Sequence, residues 1–420
     1  MPSEIAPRIA IVGAGPAGLY CADGLSRNLP EARIDVFDRL FAPFGLVRYG
    51  VAPDHQGTKA VTRLLDRLIA KGNPRFLGQV TLGRDVALDE LRRHYHAVVL
   101  ATGCAVDRRL GVPGEDLPGV IGSGAFSRWY NSHPDGGTCP AELGAVRRAA
   151  VIGNGNVAID VARLLAKSSA EMAASDLTEG PRAAFAACPV EEIVVVGRRG
   201  PVEANFTTAE LAELGRLARA MPVVEADDLP TEIGEAGGDR RTKEANLATL
   251  RGFVDVPVKP VRIRFLFHRA PIAFEGSSHL SAIRLRRADG GEESLPVDLA
   301  VTCIGYRGEA IDGAPFDAER GIVPNVEGRV APGLYVAGWA ARGPSGVIPT
   351  NRTDGMSLAG RIAADIAALP APADDGDLFD RLRERGVAVV TYDDWHRHDL
   401  AEIATAPQGA PRRKSPVLLR

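Results

Sequence analysis

Two short glycine runs carry the chemistry that this chain advertises. Gly13-Ala14-Gly15-Pro16-Ala17-Gly18 follows the apolar run Ile9-Ala10-Ile11-Val12, and Gly153-Asn154-Gly155-Asn156-Val157-Ala158 follows Ala149-Ala150-Val151-Ile152. Each fits a strand–turn–helix junction that binds a dinucleotide. In such a junction the first glycine makes the tight turn and the second lets a pyrophosphate approach the backbone. The third lets the helix pack against the sheet. The pyrophosphate rests on unpaired N–H groups at the positive end of the helix dipole. One such run is weak evidence. Two point to one protein holding two dinucleotides, and a hydride passes most simply between cofactors held face to face.

The residue that closes the following strand sorts the two sites. Residues 33–37 read as a strand ending at Asp38, about twenty residues past the last glycine, where an acid accepts ribose hydroxyls. A carboxylate there repels a 2′-phosphate, so the first site suits FAD or NAD and disfavours NADP. Residues 190–196 read as a strand closing on Gly197-Arg198-Arg199-Gly200. Two guanidiniums match a 2′-phosphate, which needs planar, charge-assisted donors. At roughly 1.5–3 kcal/mol per charged hydrogen bond, they favour NADPH over NADH by about two decades or more. The bland alternatives are a solvated Asp and a solvated Arg pair. The gap from Ala158 to Arg198 exceeds a minimal βαβ unit, and residues 168–188 read as an inserted helix or loop.

These motifs need elements to position them. Ala97-Val98-Val99-Leu100 runs into Ala101-Thr102-Gly103, and residues 299–304 run into Gly305. Both read as buried parallel strands that deliver backbone to a cofactor. Residues 334–339 repeat the pattern, followed by Gly343-Pro344-Ser345-Gly346-Val347-Ile348. A helix then starts near Asn351 or Asp354 and runs to about Leu369. Its positive end suits the N1–C2=O edge of a flavin. Trp339 either flanks the ring or is a core aromatic.

Composition excludes several classes. With 420 residues the chain can form two or three domains. A net charge of −3 gives no general affinity for nucleic acid or membrane. No apolar run approaches the roughly 20 residues of a membrane span, and no leader peptide is evident, so the cytoplasm is the expected location. Cys21, Cys104, Cys139, Cys188 and Cys303 are scattered and form no CxxC. They read as structural thiols, with no redox pair, iron–sulfur centre or metal site. Residues 226–246, containing Gly234, Gly237 and Gly238, read as a polar surface excursion. The tail at Arg412-Arg413-Lys414 is either a mobile basic end or tied back onto the body. Nothing suggests an obligate oligomer, and a monomer is expected.

A longer pattern runs through the chain. Phe44-Gly45-Leu46-Val47-Arg48-Tyr49-Gly50-Val51-Ala52-Pro53-Asp54-His55 resembles the signature segment of the adrenodoxin reductase family and its bacterial NADPH-ferredoxin reductase relatives. Gly114-Glu115-Asp116-Leu117-Pro118-Gly119, Trp129-Tyr130-Asn131, Gly197-Arg198-Arg199-Gly200-Pro201 and Phe206-Thr207-Thr208-Ala209-Glu210-Leu211 are similar to it too. So are Gly338-Trp339, Arg342-Gly343-Pro344 and Gly346-Val347-Ile348. The resemblance covers nearly the whole chain in order.

The resemblance implies an α/β fold of two Rossmann-like dinucleotide-binding domains, with the NADP domain inserted into the FAD domain. The expected FAD domain is 1–106 plus 331–420, and the expected NADP domain is 107–330. It implies FAD contacts at Ala17, Asp38, Leu46, Leu82, Trp339, Gly346, Val347 and Ile348. It implies NADP(H) contacts at Asn154, Gly155, Asn156, Val157, Arg198, Arg199, Glu210 and Gly346. Asp38 stands where the family usually has Glu, Leu82 where Val is usual, and residues 202–205 replace a more apolar stretch. The resemblance places His55 and Glu213 near the nicotinamide and flavin, as a positioning pair; the alternative is an incidental His. Hydride transfer needs alignment rather than a general base.

The implied activity passes electrons from NADPH through FAD to a small iron–sulfur ferredoxin. An acidic ferredoxin meeting a nearly neutral reductase needs a local basic face, and Arg240, Arg241, Lys243 and Arg251 are candidates. The rival readings are an FAD/NADPH monooxygenase, a non-catalytic NADP(H)-sensing flavoprotein and the electron-feeding subunit of a larger synthase.

Overall fold

The computed structural model describes residues 6–233 and 239–419. Gly234, Gly237 and Gly238 of the polar excursion lie outside the described residues. The chain divides into two units. Unit 1 comprises Met1–Val106, Tyr306–Pro407 and Arg412–Arg420, and unit 2 comprises Asp107–Gly305 and Gln408–Pro411.

Unit 1 is built on a six-stranded sheet. From edge to edge its strands are Arg329–Ala331, Leu334–Val336, Ala97–Leu100, Arg8–Val12, Arg33–Phe37 and Arg75–Leu77. All pairs are parallel except the outermost, Arg329–Ala331 with Leu334–Val336. Both faces of the central strands Arg8–Val12 and Ala97–Leu100 are buried, which is why these read as apolar runs. Ile9, Ile11, Ile34, Val36 and Val99 pack on one face with Leu19 and Leu25 of the helix Pro16–Asn28 and Leu358 and Ile362 of the helix Ile348–Asp365. Ala10, Val12, Phe37, Val98 and Leu100 pack on the other with Leu88, Leu91, Leu378 and Leu382.

Unit 2 repeats the plan. Its sheet runs Val120–Gly122, Leu299–Thr302, Arg148–Ile152, Glu192–Val196, Val261–Leu266, Ala220–Val223, all parallel. One face is covered by an antiparallel ribbon of Arg269–Glu275, Ala282–Arg287 and Glu292–Pro296, whose Ile283 and Leu285 pack on Ile152, Val194 and Ala300. The inserted segment 168–188 forms turns and the helix Glu179–Ala187. Its Phe185 packs 5.5 Å from Trp129 and 6.1 Å from Phe126. The long gap before Arg198 is therefore filled by a buried aromatic cluster rather than by a surface loop.

The second crossing between units falls at Gly305/Tyr306, earlier than the expected 330/331. Residues 306–330 belong with unit 1 because Ile322 and Val323 are buried there and the Val323 N–H donates to Ala340 O at 2.9 Å. The first crossing is marked by Asp107, which accepts from the Gly124 and Ala125 N–H groups at 2.7 and 3.1 Å, in the first turn of the helix Ser123–Tyr130.

Candidate functional site: two dinucleotide cradles

The cradle in unit 1 is fixed by backbone crowding. Gly13 sits at φ +114°, and a Cβ there would stand 2.3 Å from Ala101 O. A Cβ on Gly18 would meet Gly13 O at 2.0 Å, so the helix Pro16–Asn28 approaches the turn only because position 18 is bare. Gly15 differs: nothing but the Gly45 Cα, at 4.0 Å, lies near its missing Cβ. The space over Gly15 is what a pyrophosphate needs, at a helix N-terminus that no side chain caps. Asp38 closes the cradle. Its Oδ2 accepts from Ala14 N–H at 2.8 Å and its Oδ1 from Leu40 N–H at 2.9 Å. Burial pushes its carboxyl up, and these two donors pull it back. The acid thus organises the glycine turn.

Two further segments frame this cradle. Residues 44–50 fold over it: Phe44 N–H donates to Ala14 O at 2.8 Å, and Gly45 lies so close to Gly15 that a Cβ would stand 3.1 Å from the Gly15 Cα. Leu46 is exposed at the start of the short helix Leu46–Tyr49. Leu82 sits half-buried against the core, in a turn in which Thr81 N–H donates to Asp85 Oδ2 at 2.7 Å. The second segment is 338–350. Gly338, at φ +66°, admits Ala17, whose Cβ would be 2.5 Å from a Cβ at 338. Trp339 stacks on Tyr306 with ring centroids 6.0 Å apart and donates Nε1–H to Ser345 O at 3.0 Å. Arg342 Nε donates to the same oxygen at 3.0 Å, and its guanidinium also binds Asn351 Oδ1 at 2.9 Å and pairs with Asp354. Sequence reasoning gave Arg342 no role, although it pins the loop. Gly346, at φ +81°, lies against Thr350 Oγ1, and Val347 and Ile348 begin the helix Ile348–Asp365. That helix runs parallel to Pro16–Asn28, because Gly355 meets Ala17 and Cys21 while Gly24 meets Ala359. Both positive ends therefore point the same way.

The cradle in unit 2 has the same construction. Gly153 sits at φ +134°, with a would-be Cβ 2.3 Å from Cys303 O, and its N–H donates to Val196 O at 2.9 Å. In unit 1 the matching donation is Gly13 N–H to Phe37 O at 2.7 Å. Gly155 has nothing within 4 Å of its missing Cβ and starts the helix Asn156–Ala166, again without a side-chain cap. Val157 is half-buried in its first turn. Asn154 and Asn156 also serve the turn. Asn154 O accepts from Asn205 N–H, and Asn156 Oδ1 from Thr207 N–H, both at 2.7 Å. Arg198 and Arg199 are exposed at the end of the strand Glu192–Val196, and neither guanidinium has a hydrogen-bond or carboxylate partner among the described residues. Two unspent guanidiniums beside an open glycine turn fit a 2′-phosphate.

Other expected residues have work of their own. Glu213 forms an ion pair with Arg163 at 3.4 Å, and Arg163, fully buried, also holds Asp160 at 2.7 Å. Glu210 opens the helix Thr208–Leu214, donating its N–H to Thr207 Oγ1 at 3.4 Å. His55 precedes the short helix Gln56–Lys59 in unit 1, half-buried. The polar excursion is partly a helix, Arg240–Arg251, with Leu247 and Leu250 buried. On it Arg240 pairs with Glu244 at 2.9 Å, and Arg251 donates to Pro230 O and Thr231 O at 2.9 Å each. The basic tail is tied back: Arg412 pairs with Asp399, and Lys414, 3% exposed, donates to Arg48 O at 3.1 Å. All five cysteines are free. Burial pushes the Cys21 thiol up to about 12 and the Cys303 thiol higher, so neither is a nucleophile at neutral pH.

Two open glycine turns, one closed by an acid and one by a pair of arginines, on two largely parallel six-stranded sheets, define an oxidoreductase of the two-dinucleotide class. Residues 7–181 match the family model described as pyridine nucleotide-disulphide oxidoreductase. The chain is 36% identical to the human mitochondrial NADPH:adrenodoxin oxidoreductase, over 98% of its length and 90% of that relative's. It is also 36% identical to the NADPH-ferredoxin reductase FprA of Mycobacterium tuberculosis, over 97% and 96%. The structure of that FprA in complex with NADPH covers 99% of this chain with 98% of its own, at a TM-score of 0.92 and 35% identity. This chain belongs to the adrenodoxin reductase and NADPH-ferredoxin reductase family.

Proposed function

We propose that this protein takes a hydride from NADPH onto FAD and delivers electrons one at a time to a small iron–sulfur ferredoxin. The observation that carries the reading is the duplicated cradle with opposite closing charges: Asp38 selects a dinucleotide without a 2′-phosphate, and Arg198 with Arg199 selects one that has it. The relatives support the last step, since they are named as reductases of adrenodoxin and ferredoxin. Bound flavin supplies the conversion of a two-electron donor into one-electron output. The chain's own residues orient and polarise. The turn at Gly13–Gly18 and the N-terminus of Pro16–Asn28 hold the FAD pyrophosphate, and Asp38 faces its ribose. The open end of the helix Ile348–Asp365 stabilises negative charge on the flavin edge. Trp339, Gly346, Val347, Leu46 and Leu82 shape the walls. Asn154 to Val157, Arg198, Arg199 and Glu210 hold NADP(H). His55 has a positioning role, and Glu213 contributes through Arg163. The cytoplasm is the compartment this reading assigns, where cysteines stay reduced.

The test is direct. Purified protein should be yellow, release FAD on acid precipitation and reduce an iron–sulfur protein at the expense of NADPH. A colourless protein that FAD does not reconstitute overturns the reading. NADPH oxidation that consumes oxygen with a substrate, but not ferredoxin, would favour a monooxygenase.

A further inference from the structure

A buried charged network in unit 1 lies beside the first cradle rather than in it, and it joins residues more than 350 positions apart. Arg48 belongs to the segment that folds over Gly15. Its Nη1 and Nη2 donate to Glu402 Oε2 and Oε1 at 3.0 and 2.6 Å. Both side chains are buried, at 4% and 0% exposure. Glu402 lies on the C-terminal helix Tyr392–Ala404. Its Oε1 also accepts from His398 Nε2 at 3.0 Å and Ser415 N–H at 2.8 Å, and its Oε2 from Arg412 at 3.3 Å. The His398 tautomer follows from the geometry: Leu419 N–H donates to Nδ1 at 3.0 Å, so the ring proton sits on Nε2 and points at Glu402. The Arg48 guanidinium lies over the rings of Tyr49 and Trp395, at 5.2 and 4.9 Å.

The segment it holds needs holding. Phe44 has φ +80° and Gly45 φ +48° with ψ −126°. For Phe44, a non-glycine residue, such a conformation persists only where the surroundings over-determine it, and Gly45 is a glycine because that residue type adopts its own conformation freely. Gly45 is also the residue that abuts Gly15. Phe44 is wedged edge-on against Trp395, with centroids 5.9 Å apart. Any slack in Arg48 is therefore passed within three residues to the backbone that walls the pyrophosphate space.

We propose that Glu402 is a positioning residue for the FAD cradle: by clamping Arg48 it holds residues 44–50 against Gly15, so the C-terminal helix and tail set how tightly FAD is gripped. This rests on the assignment of FAD to the first cradle. Glu402 touches no cofactor position and acts only through Arg48. The substitution Glu402→Gln is the informative one, because an amide turns an NH2 group towards a site lined entirely by donors.

The experiment measures FAD affinity of the apoprotein, from flavin fluorescence, for wild type, Glu402→Gln, Arg48→Lys and Asp365→Asn. The last is the structural control, since Asp365 anchors Arg329 and Tyr335 at the far end of the helix Ile348–Asp365. The FAD Kd should rise roughly tenfold in Glu402→Gln, a coupling of about 1.4 kcal/mol within one network. Arg48→Lys keeps the charge but loses the fork and should move the Kd the same way; it carries the test if Glu402→Gln does not fold. Asp365→Asn, at a similar loss of thermal midpoint, should leave the Kd unchanged. If FAD affinity follows the midpoint equally in all three, the clamp is merely structural and the proposal fails. Wild type that binds no FAD would sink the functional reading instead.

Discussion

At the scale of single residues, the two glycines of the second cradle do different jobs, and substitution separates them. Gly153 is required by the fold: its φ of +134° and the Cys303 carbonyl 2.3 Å away leave no room for a methyl group. Gly155 is under no such packing constraint, because its missing Cβ faces open space. Gly153→Ala should therefore lower the thermal midpoint by several degrees, the usual consequence of a positive-φ substitution costing about 1 kcal/mol or more. Gly155→Ala should keep the wild-type midpoint yet lose NADP(H) binding, read by calorimetric titration. Equal melting losses in both would show that position 155 is also packed. Arg198 and Arg199 give a second residue-level test. With both guanidiniums uncommitted, changing both to Ala should raise KM for NADPH by about tenfold to a hundredfold. NADH, having no phosphate to lose, should change little. A parallel loss for both coenzymes would make the arginines structural.

At the scale of elements, the 369–378 connection is tied to the sheet edge by charge. Asp377 accepts from Phe379 N–H at 2.9 Å at the start of the helix Leu378–Glu384, and it pairs with Arg75 at 2.9 Å and with Arg33. Burial pushes its carboxyl up, but the Arg75 and Arg33 bonds outweigh that and hold it well below the usual carboxylate range. A lowered folded-state pKa contributes stability above the unfolded value of about 4 and loses it as pH falls through the folded value. Asp377→Asn keeps a capping oxygen and removes the charge. It should cost about 1–2 kcal/mol at pH 7, since the partners are partly exposed, and the difference from wild type should shrink steadily below pH 4. A pH-independent difference would assign the effect to the cap. Elements with a local signature were legible: Arg33–Phe37 and Ala97–Leu100 run as their apolar residues dictate. One helix start was displaced by proline. Pro349 lies in a first turn, where a missing N–H costs nothing, so that helix begins at Ile348, ahead of the expected Asn351 or Asp354. The antiparallel ribbon 269–296 went unread because its arginines mask a two-residue alternation, with Ile283 and Leu285 in and Arg284 and Arg286 out. Arg48 and Glu402 left no local trace, since a pair 354 residues apart exists only after folding.

At the scale of the whole molecule, the chain carries 50 basic and 53 acidic side chains, so attraction to an acidic ferredoxin depends on where cations remain uncommitted. Most candidates are spent. Lys414 is buried, Arg412 is paired with Asp399, and Arg251 donates twice to backbone at 2.9 Å. The first turn of the helix Arg240–Arg251 is the exception: Arg241 is exposed with no hydrogen-bond partner for its guanidinium among the described residues, and Arg240 has only its exposed i,i+4 pair with Glu244. An exposed pair of that kind contributes about 0.3–0.5 kcal/mol, so an approaching carboxylate can displace it. Arg240→Glu with Arg241→Glu should slow ferredoxin reduction at low ionic strength and flatten its salt dependence, because screening acts on the attraction that was removed. Ferricyanide, a small acceptor that needs no docking face, should be reduced at nearly the wild-type rate. Arg251→Glu should instead lower the thermal midpoint, and any change in its two activities should follow that loss of folded protein. The decisive number is the ratio of ferredoxin to ferricyanide rates in the double variant. If the two fall in step, the helix Arg240–Arg251 is not the docking face.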